Sequence, residues 1–397
     1  EDPATVIAAE RYALAAQIAR KISNPAGSQT GPAAWFDSIS LHPVMGYVML
    51  FAVMALILTI ISYFGGWMSD LITNLFESFN PHATGFLADV LWNGAAVGFY
   101  AALAVAVGFI LPFFFILGFL GESGYLPRIA FLMDRPCHLM GLHGQASMPL
   151  IVALGCNVPA CMSCRIMDNK RDRLIATFLS TMVPCSARTS VVLGLVGAFV
   201  GWQWAVGVLA FQFIIIFLAG IILNKVRPST SPGIIMEIPE YRMPSFRIVW
   251  RQAWFRFKDF LTIGVPLIIA GSVAIESLRA ANLLDVITQA LTPLTVYWLG
   301  LPAITGMLLI FGILRKEATL ALLISVAGGA SIASIISPTQ MVVFAIVIML
   351  YIPCISTIAA LVRETGYKIT AAITLVEVGT ALLVGGLVYR VLSLFMS

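Results

Sequence analysis

Charge is what this sequence has least of. Of 397 residues only 11% are Asp, Glu, Lys or Arg, and 60% are hydrophobic. A soluble domain carries roughly 25% charged residues to cover its surface. Twenty-three basic and 19 acidic side chains, net +4, cannot coat a water-facing globule of this length. No charged side chain occurs in 43–69, 90–121, 189–224 or 318–362, and each run exceeds the roughly 20 apolar residues that cross a bilayer. The fold class expected is therefore all-α, a polytopic helical membrane protein. Other absences narrow the function. Without a Lys/Arg block there is no nucleic-acid partner to expect. Six Cys scattered through apolar segments do not make the framework of a small secreted domain, and continuous apolar runs are not the short alternating segments of a β-barrel. No G-x-x-x-x-G-K-[ST] is present to cradle a nucleotide phosphate, and no G-x-S-x-G or H-E-x-x-H suggests a hydrolase; a non-enzyme is expected. The chain opens on Glu1 with no signal-peptide pattern, so an upstream portion is expected.

What is present organises the chain. Residues 1–23 read as a short polar helix with Asp2 and Pro3 at its start, followed by a Pro/Gly/Ser linker, which makes 1–40 an N-terminal segment. A first span over 44–63 and an interfacial helix carrying Trp67, Leu71 and Phe76 fill 41–89. Basic residues in the N-terminal segment, at 165–173 and in a linker at 225–258 place those pieces in the cytoplasm by the positive-inside rule. Arg128 and Arg135 argue for the same side, so the piece 148–164, short and broken by Pro149, Gly155 and Pro159, begins and ends together. It reads as a re-entrant hairpin, allowed at membrane depth only where protein or a wet cavity surrounds it.

The second half echoes the first. Leu111-Pro112 and Glu122-Ser123 recur as Val265-Pro266 and Glu276-Ser277, Gly155 as Gly312, and Pro184-Cys185 as Pro353-Cys354. The loop after the first broken piece is basic and that after the second uncharged, which suggests two inverted repeats, 90–224 and 259–397.

Broken helices at matching positions point to a transport site, because they free backbone groups at the midplane. Three breaks carry a thiol: Gly155-Cys156-Asn157-Val158-Pro159, Pro184-Cys185-Ser186 and Pro353-Cys354-Ile355-Ser356. Sulfur from Cys156, Cys185 and Cys354, with oxygen from Asn157, Ser186 and Ser356, suits a borderline metal such as ferrous iron and matches Mg or Ca poorly. The plain alternative is that buried Cys behaves as a small hydrophobe; recurrence at three proline breaks weighs against it. Cys161 and Cys164, a CxxC without a second ligand pair, stand evenly between packing and an accessory metal contact. Glu122 and Glu276 recur at equivalent positions and are candidate cavity carboxylates, while Glu317 beside Arg315 and Lys316 is as readily a self-neutralising cluster. Glu377 reads as packing, and His138 and His143 as solvated loop residues.

At these residues the sequence resembles the ferrous-iron transporter B family (FeoB). The likeness is carried by LHPVMG (41–46), ESGYLPRIAFLMDR (122–135), GCNVPA (155–160), KRDRL (170–174), PCSAR (184–188), MEIPEYRMP (236–244), LRKEA (314–318) and YIPCISTIAALVRETG (351–366). The resemblance implies two inverted gate repeats, Fe(II) as the transported ion, and Cys156, Cys185 and Cys354 on its path. It implies the bacterial cytoplasmic membrane with the N-terminus inside. GTP and Mg would act only through an N-terminal GTP-binding domain not in this chain; small accessory Feo proteins are expected partners, and a homo-oligomer is allowed. Cys161 and Cys164 depart from the family's small or aliphatic residues. A gate-repeat transporter of an organic solute such as a nucleoside is the alternative, and a non-transporting scaffold the third reading.

Overall fold

The computed structural model describes the chain except residues 1–9, 12–13, 15–16, 19–31, 79–89, 143, 168, 227–240, 282, 315–318, 320–322, 324–335, 352–353 and 396–397. Most of the expected N-terminal helix, Glu317 with its two basic neighbours, and Pro353 thus lie outside the described residues. Within them every regular element is helical and no strand occurs. Among the described residues seven helices are long and apolar enough to cross a membrane.

Contacts divide the chain into residues 1–50 and 51–397. In the first unit α1 (Pro32–Ser40) is followed by the LHPVMG segment. Its His42 Nδ1 accepts the amide N–H groups of Val44 and Met45, both at 3.2 Å. These are donors that the opening turn of a helix leaves without intrahelical partners. The helix so capped, α2, runs Met45–Glu77 without interruption. The expected stop near 63 is therefore corrected: Gly65-Gly66 does not end the helix, which continues through both glycines to Glu77.

In the second unit a helical run from Val90 to Ser123 contains α3 (Val97–Val105) and α4 (Leu111–Ser123), with a π-helical turn, Ala106–Ile110, between them. Gly108 in that turn lies so close to α2 that an added Cβ would stand 2.9 Å from the Gly65 carbonyl oxygen. Gly124, at φ 87°, ends α4 in the left-handed region that glycine adopts without penalty. The next stretch, expected to be loop, is instead α5 (Tyr125–Leu139). Arg128 is correspondingly not a solvated loop charge. It is 1% exposed, donates to the Gly124 carbonyl at 2.7 Å and lies 4.1 Å from the Tyr241 ring centroid.

The expected hairpin is present as α6 (Ser147–Gly155) and α7 (Asn157–Ser163), two short helices in contact, with Cys156 alone extended between them at φ −152°, ψ 131°. A second broken helix joins α8 (Lys170–Met182) to α9 (Ser186–Val192). Asn169 caps α8 by accepting the Arg171 N–H at 3.0 Å. Then come α10 (Trp202–Val226) and α11 (Phe246–Ala280), the latter helical from deep within the expected linker and continuous with its span. After α12 (Leu283–Thr292) and α13 (Ile304–Leu314) comes the third broken helix, α14 (Pro338–Leu350) and α15 (Ile355–Thr365), and finally α16 (Tyr367–Phe395).

The core centres on α14, whose residues from Met341 to Leu350 are all buried. A helix apolar all round belongs inside, and α14 packs against α10 and α16. Its start is fixed by a capping box in which Ser337 and Gln340 exchange side-chain and backbone hydrogen bonds.

Candidate functional site

Each broken helix places its cysteine at the same structural position. Cys156, Cys185 and Cys354 are the residues immediately before α7, α9 and α15, with extended or near-extended backbone (ψ 131°, 166° and 158°). None makes a side-chain capping bond there. The sequence reason lies on the N-terminal side of two of these breaks. Val183 before Pro184 is extended at ψ 131°, as the steric rule for residues preceding proline requires; α8 therefore stops and a new helix starts two residues on.

These three cysteines, from three separate breaks, line one cavity of about 370 Å³ together with Ser186 and Ser356. The remaining wall is mostly apolar: Phe109 and Ile110 of the π-helical turn, Phe113 of α4 and Phe260 of α11 among them. None of the three is in a disulfide and all are partly accessible, whereas Cys137, Cys161 and Cys164 are buried. Cys354 Sγ lies 3.1 Å from the Thr357 hydroxyl.

A hydrogen-bond network knits the breaks together. Ser186 donates from Oγ to the Gly155 carbonyl at 3.0 Å, joining the second break to the first. The Thr181 carbonyl, freed where α8 stops, accepts from Asn157 Nδ2 at 3.0 Å and from the Arg188 guanidinium at 2.9 Å. Arg188 also donates to the Tyr351 carbonyl at 2.8 Å, which reaches the third break. Gln212 donates to the Met182 carbonyl at 2.8 Å, and the Tyr351 hydroxyl to that of Leu309 at 2.8 Å. Carbonyls that proline and chain reversal release inside an apolar core would otherwise each cost about 1–3 kcal/mol. Arg188 is fully buried, and the sequence offered it only as the last letter of a motif; its i+3 distance from the Cys185 break is the signal that could have singled it out.

The other predicted positions fall elsewhere. Asn157 is 4% exposed and holds the network rather than the cavity wall; its Oδ1 has no hydrogen-bond partner among the described residues. Cys161 packs with Leu361, Ile373 and Phe178, and Cys164 donates to the Ala160 carbonyl at 3.4 Å. Glu122 accepts from Arg242 at 3.2 Å, and the Arg242 side chain also donates to the Glu122 carbonyl at 3.1 Å. With Tyr241 stacked on Arg128, this docks the described end of MEIPEYRMP onto ESGYLPR. Glu276 is partly buried on α11 near Gly94, away from the cavity lining. Outside the spans, burial pushes the Cys137 thiol up to about 12, with Asp134 adding to it, so this sulfur stays protonated. No group of three or more His, Cys, Asp or Glu side chains is arranged to hold a metal among the described residues. The cavity wall carries sulfur and hydroxyl oxygen, but among the described residues no such cluster closes around a single point.

Comparison with known proteins gives three findings. The Gate family profile, described as nucleoside recognition, matches twice, over residues 103–199 and 262–368, and the profile described as the C terminus of ferrous iron transport protein B matches 205–256. The Fe(2+) transporter FeoB of Staphylococcus aureus (strain MSSA476) is 30% identical over 395 residues, covering 90% of this chain and 59% of that protein. The proteins of that name from Methanocaldococcus jannaschii and Synechocystis sp. are 26% and 29% identical, covering 91% and 87% of this chain and 59% and 60% of their own lengths. The chain therefore spans about three fifths of the curated relatives it matches. No solved structure matches it.

Proposed function

The chain belongs to the ferrous iron transport protein B family, and from that membership we propose that it is the membrane half of a ferrous-iron permease. The observation that carries this reading is the convergence of Cys156, Cys185 and Cys354, from three separate helix breaks, on one cavity. A thiol and hydroxyl lining suits a borderline divalent ion, and weak, multi-site contact lets the ion leave as well as enter. The two gate repeats are inverted relative to each other, and the breaks are the pieces that exchange access. Control by GTP and Mg, the accessory Feo partners and any homo-oligomer belong to the whole protein, whose N-terminal part would face the cytoplasm across a bacterial inner membrane.

An organic-solute carrier would need aromatic and amide side chains converging on the cavity; among the described residues the lining holds Phe109, Phe113 and Phe260 but no Asn or Gln. The test is metal-dependent flux into vesicles containing the full chain. Cys156→Ser, Cys185→Ser and Cys354→Ser are each expected to slow Fe(II) entry by about 10-fold while the protein remains folded, a range comparable to the loss of a metal-site partner. Wild-type flux in the triple variant would remove the thiols from the mechanism. Stabilisation by a nucleoside, with none by Fe(II), would favour the other substrate class.

A further inference from the structure

Next to the thiol cavity lies a second chamber of about 220 Å³, and the two share Ile110, Val158, Phe260 and Ser356 as wall. Among the described residues its charged lining is of one sign, Arg256 from α11 and Arg363 from α15, with no carboxylate. Arg256 also lines a cleft on the side of α11, where Arg247 and Arg251 stand one turn apart beside Phe255. Among the described residues the four guanidinium groups make no side-chain hydrogen bond or ion pair, and Arg256 lies 5.8 Å from the Phe114 ring. Arg256 thus borders both the α11 cleft and the second chamber.

This arrangement is wrong for a bare divalent cation, which two like charges on the same wall repel. It is right for an oxyanion. Guanidinium forks match phosphate oxygens in pairs, and a cleft that precedes the chamber supplies the same chemistry at its mouth. The stacked ladder Phe246, Trp250 and Trp254, with ring centroids 6.5 and 6.3 Å apart, occupies the same stretch of α11. Aromatic residues of this kind mark headgroup level.

We propose that the chamber between Arg256 and Arg363 binds a phosphate-class oxyanion that arrives along Arg247 and Arg251. Its occupancy offsets the charge that otherwise blocks a cation from leaving the thiol cavity on that side. The coupling to cation exit rests on the permease reading; the anion site does not.

The full chain in phosphatidylcholine nanodiscs, titrated with inorganic phosphate at constant ionic strength, is expected to unfold at a temperature that rises with phosphate. Arg256→Gln and Arg363→Gln should each weaken the apparent phosphate affinity by about 10-fold. Arg135→Gln, on the exposed face of α5, should leave it unchanged. If a Gln variant does not fold, Arg256→Lys and Arg363→Lys keep the charge without the fork and should show a smaller loss. Nanodiscs containing phosphatidylglycerol separate the two sources. A higher starting temperature with no further phosphate response supports a lipid headgroup as occupant, and an unchanged phosphate response supports the free ion. No phosphate-dependent shift in either disc, or an equal shift in the Arg256→Gln/Arg363→Gln double variant, overturns the site. In vesicles, the double variant should pass Fe(II) several-fold faster than wild type, since removing two like charges lowers the barrier. Unchanged or slower flux overturns the gating role. A wild type that carries no iron overturns the permease reading and leaves the anion site to its thermal data.

Discussion

Arg188 shows what a single side chain does in this molecule. A buried guanidinium whose two donors end on carbonyls of different helix breaks is a positioning group: it satisfies what the breaks leave open and fixes their spacing. Arg188→Gln is expected to destabilise the protein by about 2–4 kcal/mol, the loss of two charge-assisted bonds in a dry site, and Arg188→Lys to recover only part because one ammonium cannot reproduce the fork. Thermal and denaturant unfolding of the purified chain reads both. Thiol reactivity is the second residue-scale prediction. Cys137, with its pKa pushed up to about 12 by burial, should resist alkylation at pH 8 in the folded protein, while Cys156, Cys185 and Cys354 label. Its raised value also means that whatever stability the buried thiol contributes is present below the usual thiol range and declines as pH climbs through it toward 12. Labelling of Cys137 at the rate of the cavity thiols would show that α5 opens in solution.

At the scale of elements, the breaks depend on close approach. An added Cβ at Gly155 would stand 2.0 Å from the Phe113 ring, so α6 and α4 meet where only glycine fits. Gly155→Ala should cost about 1–3 kcal/mol through overpacking, and Phe113→Leu in the same chain should restore part of it. No recovery would place the strain elsewhere. The tie between Glu122 and Arg242 has a different weight. The Arg242 side chain is 68% exposed, and such pairs contribute about 0.2–1 kcal/mol. Glu122→Gln should therefore lower stability only slightly and leave Fe(II) flux as it is; a tenfold drop in flux would restore Glu122 to the ion path. The same distinction applies to the contact of Arg165 with Glu364, 2.6 Å long but with the arginine half exposed.

At the scale of the whole molecule, the duplication visible as proline, Glu-Ser and Pro-Cys echoes corresponds to two matches of one family profile, and the membrane class followed from charge alone. The breaks were legible too, because proline and glycine act locally on the backbone. Element boundaries were less so: α2 and α11 run further than composition suggested, because a helix stays intact past the point where its apolar character fades. Side-chain partners were not legible. Repeat position alone offered Glu122 as a cavity group, and the fold turned it toward Arg242; CxxC spacing offered Cys161 and Cys164, and the fold buried them in packing. The sequence by itself determined that this is a helical membrane protein, duplicated, broken at three cysteines, because composition and local stereochemistry act residue by residue. Only the tertiary structure decided that those cysteines share one cavity, that Arg188 binds the breaks together and that arginines line the next chamber. Such juxtapositions join residues as far apart as 198 positions, and packing in three dimensions, rather than chain order, sets which of them meet.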